Sequence, residues 1–316
     1  MDKLDRQMLV FLERNPRITY KGLAEHLHLS IPAIQRRLTI MESSRRILGY
    51  RALVNLEAMS GVRAIVYGQM AGKMDRDMLS KIEGQGSIHT TSCGSLNSVY
   101  LLAHLHRILE LDDVIRIAQD VCKIPNPQVI LFGCGPIVSS CPPTIDDSRK
   151  GDVSTLTDVD YKIIRALHYN ARKPIAAIAK EVELSPKTVR KRLSRMVSEN
   201  LIEFRTLSSI EGSGTLDFFV VVKLKSAESR PSVLKKLRED PQFYVDSSIV
   251  VSNARDLLFF EMQTETVNEM SRIVEDIRAL KEVESVSPDL IQKVYYFEIW
   301  RDRMLEDAMN KKSEMS

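Results

Sequence analysis

An ungapped internal repeat is the feature that most limits how this 316-residue chain can fold. Residues 4–47 align with residues 159–202 at a constant offset of 155. Identical pairs recur along the alignment, among them Asp5/Asp160, Leu12/Leu167, Asn15/Asn170, Arg17/Arg172, Leu29-Ser30/Leu184-Ser185 and Arg37-Leu38/Arg192-Leu193. A match of this length without gaps is typical of duplication, so the same domain is expected twice.

Positive charge is concentrated in the two repeats. The net charge of the chain is only +3, but residues 1–60 carry 10 Lys/Arg against 6 Asp/Glu, and residues 155–210 carry 11 against 6. The rest of the chain is therefore acidic. Two basic blocks in an acidic background indicate two local surfaces for phosphate, which is typical of a protein that binds nucleic acid.

Each repeat begins with three short helices and a strand. In the first copy, apolar spacing predicts helices at Lys3–Arg14, Tyr20–Leu27 and Ile31–Ser43 and a β-rich wing at 47–55. Ser30 and Ser185 can cap the third helix of each copy. A short helix, a three-residue turn and a further helix form a helix-turn-helix.

The third helix of each copy is the expected DNA-binding element. In the second copy it carries five basic residues within about two and a half turns. Such a helix suits phosphates and guanine edges in the major groove. The predicted DNA-binding residues are Gln35, Arg36, Arg37, Arg45, Arg46, Lys187, Thr188, Arg190, Lys191, Arg192 and Arg195. The second copy has more cations, so it is expected to contribute more to affinity.

A strand, helix, strand, strand, helix, strand pattern follows each helix-turn-helix. The predicted elements are 62–71, 76–83, 87–92, 98–105, 112–122 and 128–133, and then 216–225, 231–239, 243–251, 256–263, 267–280 and 283–297. This order predicts a ferredoxin-like βαββαβ domain. Nearly continuous apolar strands, such as 218–222, indicate sheets covered on both faces, so dimer-type packing of these domains is expected.

The predicted fold class is therefore α+β, with a winged helix-turn-helix and a ferredoxin-like effector domain duplicated in tandem. The segment 136–156 is rich in Pro, Ser and charge, which predicts a linker. The expected domains are 1–57 (first winged helix-turn-helix), 61–135 (first effector domain), 136–156 (linker), 157–210 (second winged helix-turn-helix), 214–297 (second effector domain) and 298–316 (C-terminal helix and tail).

With these elements in this order, the chain resembles the Lrp/AsnC (leucine-responsive, feast/famine) transcription regulators of bacteria and archaea. Leu4-Asp5 and Val159-Asp160 match the family's usual Leu-Asp start, and Leu29-Ser30 before the third helix also fits. The resemblance covers nearly the whole chain, twice. It implies a sequence-specific DNA-binding regulator that is not an enzyme and that responds to a small-molecule effector, with amino acids among the candidates.

In that family, a Thr-Gly-x-x-Asp turn between the second and third effector-domain strands lies near the effector pocket. The matching stretches here are 93–97 and 252–256, of which the second keeps the acid and the first has Asn. Gly94 and Asn253 suit positive φ. The resemblance thus implies six effector-binding residues: Gly94, Ser95, Asn97, Asn253, Arg255 and Asp256. The alternative is that both turns only join strands.

Two other functions fit the same architecture. Siroheme decarboxylases are similar to this family, but their His-Asn-Tyr stretch is reduced to His89 here, so no catalytic residue is assigned. An architectural protein that binds DNA without sequence preference would use the same basic helices.

No metal site and no cofactor are predicted. His104 and His106 lack a third ligand, and the cysteines form no Cys-x-x-Cys pair. The cysteines are expected to be small buried side chains. Metal or redox sensing by Cys134 and Cys141 is the alternative.

The expected partners are double-stranded DNA, a small-molecule effector and further copies of the chain, in a homodimer or a higher homo-oligomer. One chain could also form a pseudo-dimer by itself. No apolar stretch approaches the ~20 residues that cross a bilayer, and residues 1–6 lack the apolar core of a signal peptide. A cytoplasmic protein without a membrane partner is therefore expected.

Overall fold

A computed structural model describes residues 2–132, 151–210, 215–239, 245–250 and 253–305. The chain divides into two compact units. The first comprises Met1–Gly61, Asp146–Ser209 and Glu298–Ser316, and the second comprises Val62–Ile145 and Ile210–Phe297. Both helix-turn-helix segments thus lie in the first unit and both βαββαβ segments in the second.

The secondary structure repeats along the chain. The elements of the first half are α1 (Lys3–Arg14), α2 (Tyr20–Leu27), α3 (Ile31–Ser43), β1 (Ile47–Val54), β2 (Val62–Gln69), α4 (Arg76–Gln85), β3 (Ile88–Gly94), β4 (Ser98–Leu105), α5 (Leu111–Arg116) and β5 (Gln128–Phe132). Those of the second half are α6 (Asp158–His168), α7 (Ile175–Glu181), α8 (Pro186–Ser198), β6 (Ile202–Ser208), β7 (Leu216–Leu224), α9 (Arg230–Glu239), β8 (Val245–Val250), β9 (Leu257–Thr264), α10 (Val267–Arg278) and β10 (Val283–Tyr296).

The turn before each third helix is fixed by local chemistry. The residue after α2, His28, and its equivalent Glu183 are both left-handed, with φ of 53° and 56°, which reverses the chain after the second helix. Ser30 and Ser185 then accept hydrogen bonds from backbone N–H groups in the first turns of α3 and α8. These are the predicted three-residue turns and caps.

β1 and β6 pair with each other in an antiparallel sheet that has two-fold pseudosymmetry. Tyr50 lies opposite Thr206, and Arg51 lies opposite Arg205. At the offset of 155, Tyr50 is equivalent to Arg205 and Arg51 to Thr206, so exchanging the copies reproduces the pairing. The predicted wing is therefore one strand in each copy, and its partner is the wing strand of the other copy.

The same symmetry extends to side chains between the two copies. Arg17 donates to the carbonyl oxygen of Ala171, and its equivalent Arg172 donates to that of Pro16, itself the equivalent of Ala171. Met8 and Leu38 of the first copy and Ile163 of the second belong to one continuous hydrophobic core. The two helix-turn-helix segments thus form a pseudo-dimer within one chain.

The helical segment 300–305 belongs to the helix-turn-helix unit. Arg301 is fully buried and donates to the carbonyl oxygen of Val54 on β1 and to the carboxylate of Glu203 on β6, the latter at 2.8 Å. Leu305 joins the core of this unit. One arginine thereby contacts both strands of the shared sheet.

The second unit is built on one eight-stranded antiparallel sheet of order β5-β2-β4-β3-β10-β7-β9-β8. Each half of this sheet has the strand order of a ferredoxin-like domain, and the halves join where β3 pairs with β10. Helix residues such as Val114 and Ile277 cover one face of the respective half. Each βαββαβ segment therefore folds as predicted.

The two halves of this sheet also contact each other face to face. The ring of Tyr100 on β4 lies 4.8 Å from that of Phe219 on β7, its third neighbour in the sheet. In a flat sheet, strands three places apart would be separated by about 14 Å. The sheet therefore folds over on itself, and the other copy covers the face that the helices leave open.

The described part of the chain contains no helix that is long and apolar enough to span a membrane.

Candidate nucleic-acid interface and effector turns

The third helices present equivalent faces to solvent. In α8, Lys187, Arg190, Lys191 and Ser194 are exposed, at the spacing of one helix face. The equivalent residues of α3 are Pro32, Gln35, Arg36 and Thr39, which are also exposed. The second helix thus offers three cations on this face where the first offers one, so the structure retains the charge difference seen in the sequence.

Three other arginines among the DNA-binding candidates are engaged within their own domain. Arg37 lies 2.6 Å from Asp5 and 2.7 Å from Asp2, while the equivalent Arg192 lies 3.1 Å from Asp160. Arg195 lies 2.8 Å from the same carboxylate. These ion pairs tie the third helix to the start of the first.

Asp160 explains why the Leu-Asp start recurs. Its side chain is fully buried and also accepts hydrogen bonds from the backbone N–H and hydroxyl of Thr157. Burial opposes ionisation, but the hydrogen bonds from Thr157 and Arg192 and the charge of Arg195 outweigh it, so the pKa of Asp160 lies below its ordinary value. A buried ionised carboxylate of this kind holds the third helix in place.

The remaining DNA-binding candidates lie at the ends of the third helices. Arg45 is exposed and left-handed, with φ of 58°, at the turn after α3. Arg46 is half-buried, and its carbonyl oxygen accepts a hydrogen bond from the N–H of Ser209. Thr188 is half-buried beside the capping Ser185, 2.8 Å between hydroxyls.

The first effector turn is occupied by a carboxylate from the second half of the chain. Asp289 on β10 accepts hydrogen bonds from the N–H and hydroxyl of Ser95, at 2.9 and 2.6 Å. It also accepts from the hydroxyls of Ser98 and, at 2.8 Å, Tyr100. Burial and the Asp289 charge raise the pKa of the Tyr100 phenol. The turn is thus a four-donor carboxylate site.

Gly94 has a different role from the one its sequence suggests. Its φ is −100°, so the expectation of positive φ is wrong. Leu96 and Asn97, both exposed, are the left-handed residues of this turn, with φ of 54° and 59°. A Cβ atom at Gly94 would come within 2.5 Å of the Asp289 carboxylate. A larger residue at this position would therefore displace the Asp289 carboxylate or the Ser98 hydroxyl.

The second effector turn also contacts the other half of the sheet. The Asn253 side chain accepts from the N–H of Leu131 and donates to the carbonyl of Val129, at 2.9 and 2.8 Å. It caps the edge of β5. Arg255 is exposed and Asp256 is half-buried. Ser252, which begins the matched stretch, lies outside the described residues.

A row of polar side chains across four neighbouring strands was not predicted as a group. Arg63 lies opposite His104 on β2 and β4, and the rings of His104 and His89 are 4.9 Å apart. The ring of Tyr296 on β10 lies 6.1 Å from that of His89. Arg63, His89 and His104 are buried. These residues come together only through the order of the strands in the sheet. The residue pattern within any one strand therefore does not predict the cluster.

The cysteines that the structure describes are Cys93, half-buried, and Cys122, fully buried. Burial raises the pKa of both thiols, that of Cys122 to about 12, so neither is activated as a thiolate. Cys134 and Cys141 lie outside the described residues. Within the described ranges, no three His, Cys, Asp or Glu side chains are placed to hold a metal ion.

The AsnC-type helix-turn-helix domain model matches the chain twice, at residues 1–42 and 156–197. The HTH-type transcriptional regulator LysM of Sulfurisphaera tokodaii is 26% identical over 144 residues, which cover 46% of this chain and all of LysM. The regulatory protein AsnC of Haemophilus influenzae is 29% identical over 133 residues, 41% of this chain and 87% of that protein. Each relative thus spans less than half of this chain.

Among solved structures, the siroheme decarboxylase NirDL is similar over 98% of this chain and 100% of its own, with a TM-score of 0.56 and 11% identity. At this identity the similarity shows a shared fold. The two domain matches place an AsnC-type helix-turn-helix at the start of each repeat. The chain thus carries two AsnC-type helix-turn-helix domains in tandem and is similar to transcription regulators such as LysM and AsnC.

Proposed function

We propose that this chain regulates transcription by sequence-specific binding to double-stranded DNA, and that α3 and α8 enter two successive major grooves. The observation that supports this most directly is the pseudo-two-fold unit itself. It presents two capped third helices with exposed polar faces from one shared core. Two-fold related helices bind half-sites about one helical turn apart.

The residues proposed to contact DNA fall into three groups. The first group is exposed on the third helices and is proposed to contact bases and phosphates directly. It comprises Lys187, Arg190, Lys191, Gln35 and Arg36. Arg37, Arg192 and Arg195 are held by carboxylates. We propose that these three chiefly position the helices, with remaining N–H groups available to the DNA backbone. Arg45 and Arg46 are proposed to lie near the flanking phosphates.

An effector is proposed to act at the turns between the two halves of the sheet. The donors that hold Asp289 suit a carboxylate, so an effector carboxylate would displace Asp289 from them. The acid of the second turn, Asp256, suits an ammonium group. Because both turns contact the opposite half, a ligand bound there would favour one arrangement of the halves over another. An amino acid carries a carboxylate that would suit the first turn and an ammonium group that would suit the second.

The DNA-binding proposal is tested with the full chain by fluorescence anisotropy. The probes are a duplex from upstream of its own gene and a scrambled duplex of the same composition, each titrated over a salt series. We expect tighter binding to the upstream duplex and a log affinity that falls with log salt by about 0.9 per neutralised phosphate. Equal binding to both duplexes would indicate an architectural protein.

Binding and decarboxylation of a tetrapyrrole is a second candidate function, under which the chain would be an enzyme. One observation supports it: the row of Arg63, His104, His89 and Tyr296 combines a buried cation with two neighbouring imidazoles. Since the curated relatives are regulators, DNA binding is preferred. An absorption titration with an iron tetrapyrrole tests it, because binding through this row would be lost in His89→Ala.

A further inference from the structure

Gln35 and Arg190 occupy equivalent positions on the two third helices. Each is the fifth residue of a 13-residue helix that begins after a capping serine. Both side chains are exposed, so neither is committed to the core. Among the equivalent pairs on this face, Gln35 and Arg190 are the pair whose two side chains both bond base edges but prefer different bases.

The other three pairs on this face do not exchange one base-contacting side chain for another of different base preference. Arg36 and Lys191 are both cations, and Thr39 and Ser194 both carry a hydroxyl, so these pairs keep their chemistry. Pro32 is equivalent to Lys187, so at this position only the second copy has a hydrogen-bonding side chain. An exchange of one base preference for another between the copies is therefore expected to come from Gln35 and Arg190, while Lys187 can only add a contact in the second half-site.

The symmetry of the first unit would place Gln35 and Arg190 at equivalent positions of the two DNA half-sites. β1 and β6 pair in a pseudo-two-fold register, and the reciprocal bonds of Arg17 and Arg172 obey the same symmetry. The chain leaves both helices through the same turn, since Arg46 N–H bonds the Met41 carbonyl and its equivalent Leu201 the Met196 carbonyl. Equivalent residues thus face equivalent positions of two half-sites.

We infer that this chain recognises a non-palindromic operator. The half-site bound by α8 has guanine where Arg190 reaches the base edges, and the half-site bound by α3 has adenine at the pseudo-two-fold-related position, contacted by Gln35. Arginine bonds O6 and N7 of guanine in a bidentate manner, whereas glutamine bonds N6 and N7 of adenine. This inference rests on the proposed DNA-binding function.

The experiment is a binding selection with the full chain from duplexes that contain about 30 random base pairs, enough for two half-sites one turn apart. The wild-type chain is expected to enrich sequences with one guanine half-site and one adenine half-site. Gln35→Arg is expected to enrich a palindrome with guanine in both half-sites, and Arg190→Gln one with adenine in both. Lys73→Gln, an exposed charge change in the other unit, is the control and keeps the wild-type preference.

Competition with the selected duplexes then measures the size of the effect. For Gln35→Arg, the preference between adenine and guanine at the first half-site is expected to reverse, with roughly 5- to 150-fold discrimination on each side. Enrichment of a palindrome by the wild-type chain, or an unchanged base preference in both variants, would overturn the inference. Failure of the DNA-binding function has a different signature, since no sequence would then be enriched by any of the proteins.

Discussion

Arg172 donates a hydrogen bond to the carbonyl oxygen of Pro16, which lies in the other copy of the helix-turn-helix. Its guanidinium also lies over the rings of Tyr20 and Tyr50, at 5.5 and 5.3 Å. Hydrogen bonds to charged groups contribute about 1.5–3 kcal/mol each. Arg172→Ala is therefore expected to lower the free energy of unfolding of this unit by about that amount, measured by urea denaturation.

The control for this prediction is Arg165→Ala on the same copy. Arg165 is exposed on α6, where substitutions usually change stability by less than about 0.5 kcal/mol. Equal stability of Arg172→Ala and the wild-type chain would show that Arg172 adds nothing to what the apolar core, the β1–β6 pairing and Arg17 already contribute.

Asp160 gives a stability change with a defined pH dependence. Its pKa in the folded chain is below the ordinary value of 3.8, so its contribution is present above about pH 4 and is lost as the pH falls through the lower folded value. As the pH falls from about 5 to about 3, the free energy of unfolding of the wild-type chain should decrease more steeply than that of Asp160→Asn. Asp112→Asn, at an exposed aspartate of the other unit, is the control. Parallel wild-type and Asp160→Asn curves would contradict the role of this carboxylate.

Local patterns predicted the elements well because their causes are local. The boundaries of α1, α2 and α3 follow from capping residues and apolar spacing, and the repeat extends the same argument to the second copy. Pairing between copies depends on contacts more than 100 residues apart, so it could only be expected in outline. The ion pair of Arg192 with Asp160 spans 32 residues, and a helix-face pattern cannot separate such an arginine from an exposed one.

Charge reversal on the third helices separates the contributions of the two copies. Arg190→Glu/Lys191→Glu is expected to weaken DNA binding more than Gln35→Glu/Arg36→Glu, because the first pair removes two exposed cations and the second only one. The salt dependence should also flatten by about 0.9 for each lost phosphate contact. Lys235→Glu/Lys236→Glu on α9 makes the same change at an adjacent exposed pair in the other unit, and serves as the control. The opposite order of affinities would show that the first copy dominates.

Asp289 tests whether the first effector turn is a carboxylate site. Removing the carboxylate leaves the N–H of Ser95 and the hydroxyl of Tyr100 without their acceptor, so Asp289→Ala should destabilise the second unit. The alanine keeps Cβ, and the space left by the carboxylate is close to the size of formate. Formate should therefore raise the melting temperature of Asp289→Ala toward that of the wild-type chain, as followed by thermal unfolding.

Chloride at the same ionic strength distinguishes specific rescue from a general effect of salt. It lacks the two oxygens that four donors require, so it should stabilise Asp289→Ala no more than it stabilises the wild-type chain. Asp289→Asn retains one oxygen but turns an amide toward the other donors, so it should be destabilised and should not respond to formate. Rescue by chloride as strong as by formate would show that the turn responds only to negative charge, and the proposal of a carboxylate effector at this turn would lose its support.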